Sequence, residues 1–278
     1  MECFICRTCG VQHAPSDDPP ARCAICEDER QYVGWGGQRW TTMAELGAEG
    51  ATLEWRELDP GLSGLCVTPS FGIGQRALLV RTPAGNVLWD CQSYLDDATV
   101  EHLRQLGGIA AICVSHPHFY GSMVDWSLAF GGAPIHVPRA DERWVRRPHP
   151  SVRLWDGDRL EVVPGVTMVR CGGHFEGSSV LHWAAGAGGA GALLVGDTLT
   201  VVPDRRFVSF MRSYPNLIPL PPAVVRRIVA ALDPFPYEGI YGGWWDRDVR
   251  QDAKRAVERS AARYIERVER DADDPAAR

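Results

Sequence analysis

Two cysteine pairs near the N-terminus constrain this chain before anything else does. Cys6 and Cys9 stand two residues apart, as do Cys23 and Cys26, with a polar, proline-rich stretch of thirteen residues between the pairs. Four thiolates at that spacing close a tetrahedron around Zn(II) or iron. Gly10, directly after the second cysteine, suits a knuckle turn that needs φ > 0. Cys3 offers an alternative pair with Cys6, but the Cys6/Cys9 register carries the glycine, so Cys3 is left free and His13 is read as a loop residue. No cationic, apolar leader precedes the pairs, so the nine cysteines are expected to stay reduced or bind metal in the cytoplasm.

A module of residues 1–40 has too little core to hold itself together, so metal is expected to staple it. The run resembles a zinc ribbon and also the rubredoxin-like module of rubrerythrins. Glu27 follows Cys26 where rubredoxins carry glycine, so structural zinc is expected here, with iron as the alternative.

The remainder reads as one large α/β domain, residues 41–270, ending in a short acidic tail expected to be disordered, 271–278. "ALLVRT" and "NVLWDC" flank "PAG" as strand, turn and strand. "DDATVEHLRQLGG" has the acidic start and glycine stop of a helix. "IAAICVSH", "APIHVP", "RLEVVPGVTMVRC", "SSVLHW" and "GALLVGD" read as strands. "PPAVVRRIVAAL" and "DVRQDAKRAVERSAARYIERVER" read as helices. "GAGGAG" at 186–191 matches a dinucleotide fingerprint but opens no helix, so it is read as a hairpin loop. A formal charge of -6 argues against nucleic acid as a partner. No stretch is apolar enough to span a membrane. The expected partner is a small molecule, with a homo-oligomer left open.

Chemistry concentrates at strand ends. His116 and His118 follow one apolar run, His174 stands in "GGHFEGSS", and Asp197 stands in "LLVGDTL". Ligands delivered from separate strand ends to one point are what a metal site requires.

In order and context these motifs resemble the metallo-β-lactamase superfamily, across roughly residues 60 to 265. That family carries His-x-His-x-Asp-His, a later His before Gly-Ser, an Asp after an apolar strand, and a final His. The resemblance implies a four-layer αββα sandwich with metal in a cleft at one edge. It assigns His116, His118 and His174 to a three-histidine site and Asp197 to the position that bridges toward a second metal.

Two departures fall on that second metal. Tyr120 and Gly121 stand where the family has Asp-His, and Gly243 and Trp244 stand where the final His belongs. Glycine has no ligand atom and an indole N–H only donates, so one metal is expected, Zn(II) with iron as the alternative. The expected activity is a mononuclear metallohydrolase acting on an ester, thioester or amide. Asp197 would orient or deprotonate water, and Tyr120 would donate to an oxyanion. Arg212, Tyr214 and Asn216, in the segment 210–222, and Trp244 are the candidate substrate contacts. Two alternatives stay open: a mononuclear iron oxygenase resembling persulfide dioxygenases, which would use His116, His174 and Asp197, and a non-catalytic scaffold.

Overall fold

The computed structural model describes residues 1–272. A two-stranded ladder pairs β1 (Ile5–Cys6) with β2 (Trp40–Thr41), so β2 lies across the expected boundary at residue 40. The first large sheet then runs β3 (Thr52–Asp59), β4 (Leu62–Thr68), β5 (Ala77–Val80), β6 (Val87–Trp89), β7 (Ala111–Cys113), β8 (Ile135–Pro138) and β9 (Val152–Trp155) in spatial order. Its first four strands pair antiparallel and β6 to β9 pair parallel.

The second sheet begins with the antiparallel run β10 (Arg159–Val163), β11 (Val166–Arg170), β12 (Ser179–Trp183) and β13 (Ala192–Val195). The chain leaves it for two short hairpins, β14 (Thr200–Val201) with β15 (Val208–Ser209) and β16 (Met211–Ser213) with β17 (Ile218–Pro219). It returns as β18 (Gly239–Tyr241), parallel to β13, and β19 (Asp248–Val249). The "GAGGAG" stretch is the turn of the β12–β13 hairpin, as expected; Ala187 and Gly188 take left-handed backbone there.

Three cores separate four layers, and strand alternation sorts residues among them. Along β5, Ala77 and Leu79 face the helices Asp97–Gln105 and Met123–Ala129, whereas Leu78 and Val80 face the second sheet. Along β13, Ala192 and Leu194 face the first sheet, whereas Leu193 and Val195 pack on the helices Pro222–Leu232 and Ala253–Ala272. Strands buried on both faces read as unbroken apolar runs, which is why "ALLV" occurs in both. The expected αββα sandwich is therefore the observed one. Asp96 caps the helix Asp97–Gln105 by accepting from the Thr99 amide at 2.7 Å.

The four paired cysteines and Ile25 belong to the same core as Leu65, Leu88 and Ile112. The N-terminal segment is thus packed into the first sheet's outer layer. Asp271 and Ala272 close the last helix; the rest of the expected tail, 273–278, lies outside the described residues. No helix among the described residues is long and apolar enough to cross a membrane.

Candidate metal centre

Strands β11 and β13 run parallel to each other with β12 antiparallel between them, and their C-terminal ends meet that of β7 at one edge of the sandwich. His116 leaves β7 in extended backbone, and a single 3-10 turn, Pro117–Phe119, swings His118 to the same side. The three imidazoles form a near-equilateral triangle, with centroids 4.9 to 5.2 Å apart. His174 Nε2 lies 3.3 Å from His118 Nδ1, and Asp197 Oδ2 lies 3.5 Å from His116 Nε2 and 3.7 Å from His174 Nε2. Gly196 is what lets β13 approach so closely: a Cβ there would sit 2.3 Å from Ser115 Oγ and 3.0 Å from His116 Nδ1.

These residues fit a metal ion. One ligand atom from each of His116, His118, His174 and Asp197 falls within 4.8 Å of the others, and all four residues are buried. A tetrahedral zinc with Zn–N near 2.0–2.1 Å separates its ligand atoms by ~3.3 Å, close to the spacings found. His116 faces the cluster through Nε2 and His118 through Nδ1; His116 Nε2 is buried with no hydrogen-bond partner, an expense seldom tolerated unless something else occupies the lone pair. Burial pushes His118 well below the usual imidazole range, helped by the neighbouring rings, and pushes His174 down to about 3 against the pull of Asp197. Burial would raise Asp197, yet the imidazoles of His116 and His174 hold it below the usual carboxylate range. Neutral imidazoles at His118 and His174 beside an ionised carboxylate are the protonation states that bind a cation.

Polar groups behind the ligands fix their orientation. Ser115 Oγ lies 2.8 Å from His116 Nδ1, and the Ser115 amide donates to Asp90 Oδ1 at 2.7 Å. His174 Nδ1 lies 3.2 Å from the Met211 carbonyl. Thr200 Oγ1 lies 3.5 Å from Asp197 Oδ1.

A cleft of 580 Å³ opens beside these ligands, lined by Thr200, Met211, Tyr214, Trp244 and Trp245 among others. Tyr214 stacks 5.8 Å from His174, and Trp244 packs edge-on against Phe119, which itself lies 4.5 Å from His116. Two other expected substrate contacts face elsewhere. Arg212 alternates with Met211 along β16, pairs with Glu29 at 2.5 Å and lines a separate cavity of 840 Å³. Asn216 donates to the carbonyls of Glu29 and Gln31 at 2.9 and 3.0 Å. Tyr120 does not line the cleft either. It is buried in the helix-side core with its hydroxyl unpartnered; burial raises that hydroxyl well above the ordinary phenol range and nearby Asp141 raises it further.

The second cluster is the four cysteines. Cys6 Sγ lies 3.5 Å from Cys26 Sγ, Cys9 Sγ lies 3.7 Å from Cys23 Sγ, and all four fall within 4.8 Å of one another. Tetrahedral Zn–S bonds of about 2.3 Å imply S···S distances of ~3.8 Å, whereas a disulfide would bring two sulfurs to about 2.05 Å. Gly10 has φ +78 and its amide donates to the Cys6 carbonyl at 2.8 Å, closing the knuckle. Gln38 Nε2 donates to Cys6 Sγ at 3.2 Å, and His13 Nε2 lies 3.7 Å from Cys23 Sγ. Hydrogen bonds from the neighbouring thiols hold the Cys23 thiol far below its ordinary range.

Sequence reasoning missed Arg30, Ser115 and Phe175. Ser115 had a signal, a hydroxyl beside the first ligand. Arg30 sits in the charged run "EDER", which reads as solvated surface, yet it is only 1% exposed.

No family model matches the chain. The Bacillus subtilis (strain 168) protein named "Uncharacterized protein YmaE" is 46% identical over 266 residues, covering 95% of this chain and 96% of that one. Among solved structures, VMB-1 aligns with a TM-score of 0.57 at 13% identity, over 78% of this chain and 98% of its own. The DIM-1 metallo-β-lactamase exposed to ceftazidime aligns with a TM-score of 0.56 at 10% identity, over 76% and 97%. A Cronobacter sakazakii metallo-β-lactamase with a HARLDQ motif aligns with a TM-score of 0.51 at 17% identity, over 84% and 100%. At such identities the likeness carries the fold and leaves the chemistry to the site. The chain belongs to the family of Bacillus subtilis YmaE and has the metallo-β-lactamase fold, with a four-cysteine cluster at its N-terminus.

Proposed function

We propose that this protein is a mononuclear metal-dependent hydrolase, with zinc held by His116, His118 and His174, that attacks an ester, thioester or amide carbonyl of a small molecule. The observation that carries the reading is the buried triangle of imidazoles, with the inward nitrogen of His116 unpartnered, closed by an ionised Asp197 beside an open cleft. When bound, a divalent ion in such a site supplies Lewis acidity, polarising the carbonyl and acidifying water. Asp197 Oδ2 orients the attacking water and accepts its proton, while Thr200 steadies Oδ1. Trp244, Trp245 and Tyr214 wall the cleft and admit a flat or apolar body. Residues 1–40 serve as a structural four-cysteine module, with zinc at Cys6, Cys9, Cys23 and Cys26.

One ion rather than two is supported by what fills the second position. A Cβ on Gly121 would sit 2.6 Å from the Gln92 carbonyl oxygen, and one on Gly243 would sit 2.7 Å from the Phe119 ring. Backbone and an aromatic side chain occupy the room that further ligands need.

Iron is the second reading. It is favoured by the four-cysteine module packing beside the histidine site, where Arg30, four residues after Cys26, donates to the His174 carbonyl. Metal content by inductively coupled plasma mass spectrometry, for the parent and the His116→Ala/His118→Ala double variant, separates these readings. Two zinc equivalents falling to one, with hydrolysis of an ester or thioester panel lost in the variant, is the expected result. One equivalent in both proteins overturns the metalloenzyme reading, and iron lost with the two histidines transfers it to oxygen chemistry.

A further inference from the structure

Arg30 stands four positions after Cys26 and is among the largest fully buried side chains. Burying a guanidinium is costly unless its nitrogens are partnered, and here each of the three is. Nε donates to the His174 carbonyl at 2.5 Å, Nη1 donates to both oxygens of Asp28 at 2.8 and 2.9 Å, and Nη2 reaches Glu176 at 3.4 Å. The guanidinium lies 4.3 Å over the Phe175 ring. That ring in turn packs 5.0 Å from His118, 5.1 Å from His174 and 5.9 Å from His116.

The segment around Arg30 grips the opposite side of the site as well. The Arg30 carbonyl accepts from Ser213 Oγ at 3.2 Å, and Asn216 holds the carbonyls on either side. Ser213 and Asn216 belong to the hairpin whose Met211 carbonyl lies 3.2 Å from His174 Nδ1. Residues 28–31 therefore clasp His174 from both directions: directly at its carbonyl, and through the hairpin at its ring. Nothing in the large domain's own ligand motifs supplies that carbonyl contact.

We propose that Arg30 is a positioning residue for the metal centre, so that the metal affinity of the three-histidine site is set in part by the four-cysteine module that carries Arg30. The proposal rests on the reading that His116, His118, His174 and Asp197 hold an ion. Arg30 touches neither the ion nor substrate; it fixes the peptide that carries a ligand. A planar fork suits this work, because one guanidinium serves a carbonyl, a carboxylate and an aromatic face at once.

The test is Co(II) loading of the full-length protein, in which thiolate charge-transfer bands report the four-cysteine site and ligand-field bands without them report the histidine site. Affinity of the latter is read by competition with a chelator, without any assay of activity. Arg30→Gln is expected to weaken the histidine site about 10- to 100-fold, the range for groups that support metal ligands, with the thiolate bands unchanged. Arg30→Lys, which keeps the charge and one donor, is expected to lose less. An Arg30→Gln affinity within about threefold of the parent overturns the proposal, since supporting groups act above that level. If that variant also loses the thiolate bands, Asp28→Asn decides, because it keeps the guanidinium and removes the carboxylate that aims it. Weakened histidine-site binding in Asp28→Asn supports the proposal, and parental binding overturns it. A parent that binds Co(II) only through thiolates refutes the metalloenzyme reading itself, a result distinct from either.

Discussion

Ser115 and His116 are neighbours in sequence and are joined again through their side chains, Oγ to Nδ1 at 2.8 Å, which leaves His116 Nε2 aimed at Asp197. The bond settles which imidazole nitrogen is free to bind metal. Ser115→Ala removes it while adding no bulk. Zinc affinity of the histidine site, measured by chelator competition, is expected to fall about 10-fold, with thermal stability lowered by about 1 kcal/mol. Unchanged affinity would mean that packing against Phe119 alone orients the ring.

Gly196 tests the same contact from the opposite strand. Its Cβ would strike Ser115 Oγ, Ser115 Cβ and His116 Nδ1 at 2.3, 2.7 and 3.0 Å. None of these is the far end of a flexible chain. Gly196→Ala is expected to cost about 1–3 kcal/mol as overpacking and to displace His116, so that metal content drops by one equivalent. A variant with parental metal content and melting temperature would show that β7 and β13 can separate at little cost.

Asp141 predicts how stability depends on pH. Burial raises its carboxyl to about 7, against the Gly177 amide that donates to Oδ1 at 2.8 Å, and Oδ2 has no partner. An acid whose folded pKa lies above its unfolded value holds a proton in the native state that the unfolded chain releases. Stability therefore falls as pH rises from about 4 to about 7, by on the order of 4 kcal/mol from this group. Asp141→Asn keeps the acceptor for Gly177 and removes the titration, so chemical denaturation across that window should lose this slope. A profile identical to the parent's would place the titration elsewhere.

The four-cysteine cluster is expected to hold the fold rather than react. Cys9→Ser/Cys23→Ser removes two ligands, and the variant should lose one metal equivalent and several kcal/mol of stability, because structural metal binding is folding free energy. Equal melting temperatures for parent and variant, compared after metal analysis, would show that the sheet holds the module unaided.

Ligand identity was legible in the sequence because it depends on residue type and local spacing. His116, His118, His174, Asp197 and the two cysteine pairs each follow an apolar run or frame a knuckle, and the structure brings both groups together. Substrate-facing positions were less legible because they depend on which face of a short strand turns toward the cleft. Met211 and Arg212 are adjacent on β16 and open onto different cavities, and nothing in "FMRSYP" says which is which. Tyr120 is next to the ligands in sequence, but the 3-10 turn carries it into the helix-side core. Arg30 was illegible for a different reason. Its acceptor on His174 is 144 residues away, and nothing local to "EDER" shows that such a distant partner exists.

That separation also orders events during synthesis. The cysteine knuckles leave the ribosome before either large sheet, and four thiolates can capture an ion while those sheets are still being made. Yet Gln12 awaits the Gly121 carbonyl, Glu29 awaits Arg212, and Arg30 awaits His174. The nascent cysteine module keeps a solvated arginine beside its metal knuckle until the strand that precedes His174 is complete. The cysteine module, although made before both sheets, is thus among the last parts to dock, and closing the histidine site becomes a late step of folding.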